Sequence, residues 1–370
     1  MSPSHARRQA LARLHGMACL GTGGTLLIEP LLQELHRVIG FDSGGYFYPG
    51  ADGELDAFME SPDVQASVPE HLDPGIQHSE NLVFRNTLRA PGDIVLHEHG
   101  PRSMEQMLRD TSLETLLRSD YYNVVMRPAQ VRDWLCLPLR TPQGQGVGML
   151  FLFRSARAQP FQPEEVALLA RLEHQLAYIL QGGEMDAQDS EIHSEGVLVA
   201  TLEGQPLWIS PEAEALMPLA FGWRWRRGAQ LPAALLELLR RLRAPSGRME
   251  LPAMRLHTAH GWFSLRAILM NAAHAPLPGQ PEHAVALHIT HRVARGVRLL
   301  STLQTLALPQ RQHELAWWLA RGLSESQVAQ RMGISLNTAV YHRRQLYNRL
   351  DVTGREELLS KLGHAVPARR

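Results

Sequence analysis

The chain has 370 residues, enough for two or three domains, and its 44% hydrophobic and 20% charged residues are typical of a folded globular protein. Lys361 is its only lysine among 37 basic residues, which excludes P-loop nucleotide binding, protein-kinase catalysis and pyridoxal phosphate chemistry. Two cysteines, Cys19 and Cys136, are too few for a disulfide framework, and neither a signal peptide nor a membrane-spanning run is visible, so we expect a cytoplasmic protein.

The first part of the chain alternates helix and strand patterns. Residues 26–39 have the apolar spacing of an amphipathic helix, and a strand pair follows around a turn at 49–53. Residues 134–139 read as a half-buried strand and residues 147–153 as a strand that is apolar on both faces, so that together they predict a hairpin. A helix with proline and acidic residues in its first turn is predicted over 161–180.

Two of these segments carry a family resemblance. The runs WLCLPLRTPQGQGVGMLFLF and FQPEEVALLARLEHQLAYIL resemble the closing strands and last helix of a GAF domain, a module that senses small molecules. The resemblance covers residues 25–181 with the middle unassigned, and it implies a sensor domain over 1–182. No ligand-defining residue of that family can be recognised, so the effector site stays unknown.

A second module is predicted after an acidic, polar linker at 184–191. The run GVLVATLEGQPLWISPEAEALM reads as strand, turn, strand and helix, and GWFSLRAILM and EHAVALHIT are two later strands on either side of a proline-rich loop. This order is similar to that of a PAS domain, with Ser210 where that family often has asparagine. The resemblance implies a PAS-like domain over 192–291.

A signalling helix is predicted over 292–307, between the sensor modules and the end of the chain. Val293, Val297, Leu300 and Leu303 or Gln304 lie on one side of it. That spacing suits a short dimeric coil, and it suits a single helix packed within its own chain equally well.

The last 63 residues hold ten basic and five acidic side chains, which makes this end of a neutral chain basic and a candidate for binding a polyanion. Glycines at 322 and 333 predict helix ends, and the sequence Ser324 to Gln327 is a capping box at the start of a second helix. Ser335 can cap a third helix that runs to Leu350, and Thr353 to Glu356 predicts a further capping box before a fourth. A short helix, a turn with glycine and a longer basic helix are the parts of a helix-turn-helix.

The third helix has two opposed faces. At about 100° per residue, Ala339, Leu346 and Leu350 lie within roughly 20° of one direction, which predicts the buried face. The opposite face can hydrogen-bond to base edges, and we predict that it reads DNA through Asn337, Tyr341, Arg344 and Asn348. Side chains that flank it are predicted to contact phosphates without sequence preference: Thr338, Arg343, Gln345 and Arg349.

The run LPQRQHELAWWLARGLSESQVAQRMGISLNTAVYHRRQLYNRLDVTGREEL resembles the LuxR-type helix-turn-helix, the tetrahelical DNA-binding domain of many bacterial transcription regulators. The resemblance extends without a gap over about 55 residues and implies a DNA-binding domain over 308–363. Two positions depart from the family pattern: Val340 replaces a lysine that commonly contacts DNA, and Gln312 stands where glutamate is usual. These departures bear on the detailed contacts more than on the fold.

The expected fold class is therefore α+β multidomain, with two antiparallel-sheet sensor modules followed by an all-α helix-turn-helix domain. The expected function is that of a one-component, sequence-specific transcriptional regulator, a homodimer that binds double-stranded DNA, a small-molecule effector and the transcription machinery. No enzyme activity, cofactor, metal or membrane partner is expected, and the histidines lack the spacing of a zinc site.

Two alternatives stay open. In one, a degenerate helix-turn-helix binds a protein partner. In the other, the chain is a GAF-fold redox enzyme similar to the free methionine sulfoxide reductases, against which the cysteine count argues.

Overall fold

The computed structural model describes residues 3–19, 24–50, 55–85, 99–109, 111–141, 143–181, 190–228, 230–243, 252–272, 283–306 and 308–364. The chain forms two compact units. One comprises Met1–Gly40, Tyr178–Ser190 and Ala294–Arg370, and the other comprises Phe41–Ala177 and Glu191–Val293. Two sheets with helices and a helical C-terminal region confirm the α+β multidomain class.

The chain begins with helix α1 (Pro3–Cys19), a 3-10 turn at Thr25–Leu27 and helix α2 (Ile28–Val38). The predicted amphipathic helix is therefore confirmed, with its first turn wound more tightly. Helices α1 and α2 pack against each other. They belong to the same compact unit as the C-terminal helices, whereas the sequence grouped them with the first sensor domain.

The first sheet has five antiparallel strands: β1 (Ser43–Pro49), β2 (Leu55–Met59), β3 (Arg102–Ser103), β4 (Asp133–Arg140) and β5 (Gly146–Arg154). Their order in the sheet is β2-β1-β5-β4-β3. The predicted strand pair β1–β2 and the predicted hairpin β4–β5 are both confirmed.

The prediction that residues 134–139 form a half-buried strand is wrong in its burial. The strand, β4, is buried on both faces. Leu135, Leu137 and Leu139 are completely buried, and the alternate side chains Trp134 and Cys136 are nearly so. An alternating pattern of large side chains does not distinguish a strand that faces solvent from one covered on both sides.

The stretch that the sequence left unassigned folds into short helices. These are α3 (Pro62–His71), α4 (Pro74–Val83), α5 (Met104–Met107), α6 (Leu113–Arg118) and a π-helical turn at Tyr122–Met126. Helix α7 (Pro163–Gln181) follows the sheet and confirms the helix predicted from residue 161.

The middle module contains β6 (Ser190–Ala200), β7 (Pro206–Ile209), α8 (Pro211–Phe221), a 3-10 turn at Gly222–Arg224, α9 (Ala233–Arg243), β8 (Ala253–Thr258), β9 (Gly261–Asn271) and β10 (His283–Ala294). Its strand order, β7-β6-β10-β9-β8, repeats the order of the first sheet. Leucines from both layers fill its core, together with Phe263, Val285 and Ile289.

Two details of the middle module differ from the prediction. Strand β6 begins at Ser190, so the predicted linker does not extend to residue 191, and residues 184–189 lie outside the described part. Strand β8 was not predicted, although Met254 and Leu256 alternate with exposed residues along it. The proline-rich loop also lies outside the described residues. The PAS-like assignment stays a prediction.

Helix α10 (Arg295–Thr305) starts three residues later than predicted, because β10 continues to Ala294 and includes Val293. Leu300, Leu303 and Gln304 are buried within the unit, and Gln304 Nε2 donates a hydrogen bond to Pro30 O of α2 at 3.3 Å. This packing favours the single packed helix of the two readings that the sequence left open.

Four helices end the described chain: α11 (Gln310–Ala320), α12 (Glu325–Arg331), α13 (Leu336–Leu350) and α14 (Arg355–His364). The four predicted helices are confirmed within one or two residues. In α11 the buried side chains include Leu315, Trp318 and Leu319, and Trp317 is fully buried as well.

Within the described ranges, no helix has the length and apolar character required to cross a bilayer. The same residues contain no group of three or more histidine, cysteine, aspartate or glutamate side chains arranged to hold a metal ion.

Candidate nucleic-acid interface

The first helix of the candidate interface, α12, is fixed at its start by the predicted capping box. Ser324 Oγ accepts the Gln327 backbone N–H at 3.4 Å, and Gln327 Oε1 accepts the Ser324 N–H at 2.8 Å. Gly322, with φ of 98°, provides the left-handed residue that ends α11 just before it. Two orphan donors at the helix start are thus satisfied reciprocally.

The turn between α12 and α13 is equally well specified. Gly333 adopts φ of 62°, a conformation that residues with a Cβ atom rarely take. Ser335 then caps α13, since its Oγ accepts the Thr338 backbone N–H at 3.2 Å. The short turn sets the direction in which α13 leaves α12.

The inward face of α13 is the one that the sequence predicted. Ala339 is 2% exposed, Leu346 is completely buried and Leu350 is 6% exposed. The helix packs on both α11 and α12 through this face, where Val328 of α12 is completely buried too. Burial of these apolar side chains fixes the rotation of α13 about its own axis.

The outward face is polar and open. Its four side chains recur at intervals of four, three and four residues along α13, and all are exposed: Asn337, Tyr341, Arg344 and Asn348. Tyr341 is 58% exposed although it is a large aromatic residue. The arrangement offers hydrogen-bond donors and acceptors on one stripe of a helix, which is what reading base edges in a major groove requires.

The residues that flank this face differ in exposure and in the side chains that they contact. Gln345 and Arg349 are exposed, with Arg349 Nη1 at 3.5 Å from Gln312 Oε1, so the glutamine that departs from the family pattern contacts this arginine. Thr338 Oγ1 lies 2.8 Å from Ser335 Oγ within the helix cap. Arg343 is half-buried and forms an ion pair with Glu325 of α12, with its guanidinium 5.7 Å from the Tyr347 ring. The guanidinium of Arg343 therefore already contacts other side chains of the same domain.

The ends of α11 and α13 are held by basic groups of α14 that the sequence only partly revealed. The sole lysine, Lys361, donates to Leu350 O at the end of α13, and Arg355 Nη2 donates to Leu319 O near the end of α11 at 2.7 Å. Positive side chains at a helix C-terminus satisfy its free carbonyls and oppose its dipole. The predicted capping box at Thr353 is wrong in its partner, since Glu357 and not Glu356 accepts the Thr353 N–H, at 2.7 Å. That hydrogen bond lowers the pKa of Glu357.

Two family models match the chain. The GAF domain matches residues 25–180, and the model for bacterial regulatory proteins of the luxR family matches residues 306–362. The chain therefore contains a GAF domain and a LuxR-family helix-turn-helix domain. It has the domain composition of a one-component transcriptional regulator.

No curated relative matches the sequence. Among solved structures, Escherichia coli SdiA is 12% identical, with a TM-score of 0.27 and coverage of 92% of this chain and 89% of that chain. The Vibrio cholerae VqmA dimer without its target DNA is 12% identical, with a TM-score of 0.17 and coverage of 45% and 81%. The E. coli DhaR(N)–DhaL complex is 12% identical, with a TM-score of 0.20 and coverage of 78% and 89%. Scores this low carry no argument about the present chain.

Proposed function

We propose that this protein is a one-component transcriptional regulator in which α13 reads the bases of its operator through Asn337, Tyr341, Arg344 and Asn348. One observation carries the proposal: these four polar side chains share an exposed stripe directly opposite the buried Ala339, Leu346 and Leu350. The exposure of this stripe among the described residues supports its availability to a duplex. Arg344 has the planar fork that grips O6 and N7 of guanine.

The remaining parts of the proposal concern partners. The working form is a homodimer, because two recognition helices about 34 Å apart match successive major grooves. A small molecule bound by the GAF domain is the input, and contacts with the transcription machinery are the output. The protein acts in the cytoplasm, where its DNA would be, and has no catalytic role.

The ion pair of Arg343 bears on the role that we propose for this side chain. Because this side chain is paired with Glu325, a phosphate contact from it must compete with an existing ion pair. We therefore assign Arg343 a sequence-independent contribution and Arg344 a sequence-dependent one.

The test begins with the full-length protein and sheared genomic DNA. Sequencing the fragments retained at moderate salt defines the operator, and a shared inverted repeat is expected for a dimer. Arg344→Ala should then reduce affinity for the operator by about ten- to a hundredfold, with a smaller effect on unrelated DNA. Arg343→Ala should weaken binding to all sequences alike and lower the slope of log affinity against log salt by about 1.

Arg321→Ala is the matched control, since Arg321 is an exposed arginine of the same domain outside α13. It should retain the preference of the wild type for the operator. Unchanged affinity and salt slope in both α13 variants, with circular dichroism showing an intact fold, would falsify the assigned face and favour a protein partner for these helices.

A further inference from the structure

The GAF domain contains a cavity, partly open to solvent, that no motif in the sequence indicates. Its volume is about 140 Å³, and it lies between the first sheet and the short helices α3 and α4 with the π-helical turn. An engineered apolar cavity of about 150 Å³ in another protein admits benzene. The space therefore suits a compact molecule with a single ring.

Aromatic side chains form much of the wall. Phe47, Trp134, Phe151 and Phe153 come from three strands, and Tyr121 comes from the segment before the π-helical turn. Trp134 and Phe151 meet edge to face with ring centroids 5.9 Å apart, and Phe47 meets Phe151 in the same way at 5.7 Å. These contacts hold the rings in place, so the wall is preorganised for a flat apolar group.

One carboxyl group points into this apolar space. Glu80, in the last turn of α4, lines the cavity and is only 5% exposed. Tyr121 hydrogen-bonds its side chain, while Glu80 Oε2 is buried without a hydrogen-bond partner. A buried polar atom without a partner costs free energy unless a ligand or water supplies the missing donor.

No nearby cation compensates Glu80 within the described part of the chain. The only basic group there within 4 Å of its carboxyl is His71, whose Nδ1 lies 3.9 Å from Oε2. Burial lowers the pKa of His71 to about 4, so the imidazole is neutral at physiological pH. Arg102 also lines the cavity, but it interacts with other groups of the protein.

We propose that the cavity binds a small amine that carries one ring, with its nitrogen directed at Glu80 Oε2 and its ring between the aromatic side chains. An ammonium group supplies the donor that Oε2 lacks and the countercharge that lets Glu80 ionise when the amine binds. The faces of the surrounding aromatic rings attract the same cation. The proposal rests on the proposed function, because it names the chemical class of the effector.

The experiment uses four probes of similar size and different charge: benzylamine, benzyl alcohol, toluene and benzoate. Binding to the full-length protein is measured by calorimetry, supported by the fluorescence of Trp134 and the other tryptophans. The expected order is benzylamine first, then benzyl alcohol, then toluene, with benzoate weakest. Glu80→Gln should lower the affinity for benzylamine by about tenfold or more, since a hydrogen bond to a charged group is lost.

Two controls make the result decisive. Toluene should bind Glu80→Gln as it binds the wild type, which shows that the cavity is still formed. Glu114→Gln, at a 70% exposed carboxylate of α6, should leave the order of the four probes unchanged. A preference for benzoate, equal binding of all four, no binding of any, or an unaltered preference in Glu80→Gln overturns the proposal.

Operator binding is measured on the same samples. If the protein binds its operator but not benzylamine, the ligand assignment is wrong and the DNA-reading role stands. If it binds benzylamine but no DNA sequence preferentially, the proposed function is wrong while the cavity keeps its ligand class.

Discussion

Two buried glutamates, one in each compact unit, differ in the charged groups that surround them. Glu34 of α2 is completely buried, and its Oε1 accepts hydrogen bonds from Arg13 Nε at 2.8 Å and Arg37 Nη1 at 2.7 Å. Glu80 of α4 is almost as deeply buried, but a tyrosine and a neutral histidine are its neighbours. The first carboxylate has two cations beside it, whereas among the described residues the neutral His71 is the only basic group within 4 Å of the second.

The consequence is visible in the acidity of Glu80. A carboxylate that leaves water without a countercharge is destabilised, so its pKa rises. Burial raises the pKa of Glu80 to about 8. Burial alone therefore does not make a carboxylate structural. Each of the two has one buried oxygen without a hydrogen-bond partner, but the other oxygen of Glu34 joins two helices through Arg13, whereas Glu80 lines a cavity. The same Glu→Gln substitution should therefore change the stability of the fold in opposite directions at the two sites.

The largest loss of stability is expected for Glu34→Gln. The change keeps the shape of the side chain but leaves Arg13, which is 13% exposed, without its countercharge. Removing one partner of a buried ion pair costs about 3–5 kcal/mol. Native-state hydrogen exchange of peptides from α1 and α2 should show this loss in the free energy of opening.

Glu29→Gln is the matched control on the same helix, because Glu29 is exposed in the first turn of α2. Its effect should stay within about 0.5 kcal/mol, as for most surface substitutions. Equal protection of the two variants would mean that the arginines around Glu34 add nothing to the packing of α1 on α2.

The second prediction concerns pH. The pKa of Glu80 is raised, so between about pH 4.5 and about pH 8 the unfolded chain releases a proton that the folded chain keeps. Stability contributed by protonated Glu80 is full below about pH 4.5 and is lost as pH rises, with a slope of at most about 1.4 kcal/mol per unit. Glu80→Gln cannot ionise, so its stability relative to the wild type should increase from about pH 5 to about pH 8.

The difference in stability between the two proteins is the quantity to measure, because buried histidines change the stability of the fold in the opposite direction at lower pH. Burial lowers the pKa of His71, His260 and His313 to about 4, which makes the fold lose stability as pH falls below about 6.5. Thermal unfolding of wild type and Glu80→Gln at about pH 5, 6.5 and 8 separates the contributions. A constant difference across this range would mean that Glu80 titrates as an ordinary carboxyl.

The DNA-binding end was predictable from sequence because its signals are local. The capping box at Ser324, the cap at Ser335 and the burial of Leu346 each depend on residues a few positions apart. Helical spacing then fixes which side chains share a face. The sequence could not show that Arg343 is paired with Glu325, since the two residues lie on different helices.

The cavity could not be predicted, because its wall is assembled from strands and helices far apart in the chain. Glu80, His71 and Tyr121 meet only after the short helices pack on the sheet. The helices themselves left readable signals: Asp73 before Pro74 caps α4, and Ser103 with Gln106 forms a capping box at α5. Those signals predict the helices but not the space between them and the sheet.

The smallest loss of stability is expected for one of the two arginines beside Glu34, Arg37. Arg37 lies one turn after Glu34 on the same helix and is 41% exposed, so solvent screens its charge. Arg13 comes from α1, 21 residues earlier, and is mostly buried. Arg37→Ala should therefore cost less than about 1 kcal/mol, and Arg13→Ala should cost more, because only Arg13 ties α1 to α2. Hydrogen exchange of the same peptides gives both values. If Arg37→Ala proved the more damaging, the neutralising charge at Glu34 would come from within α2, and the ion pair would not be what holds the two helices together.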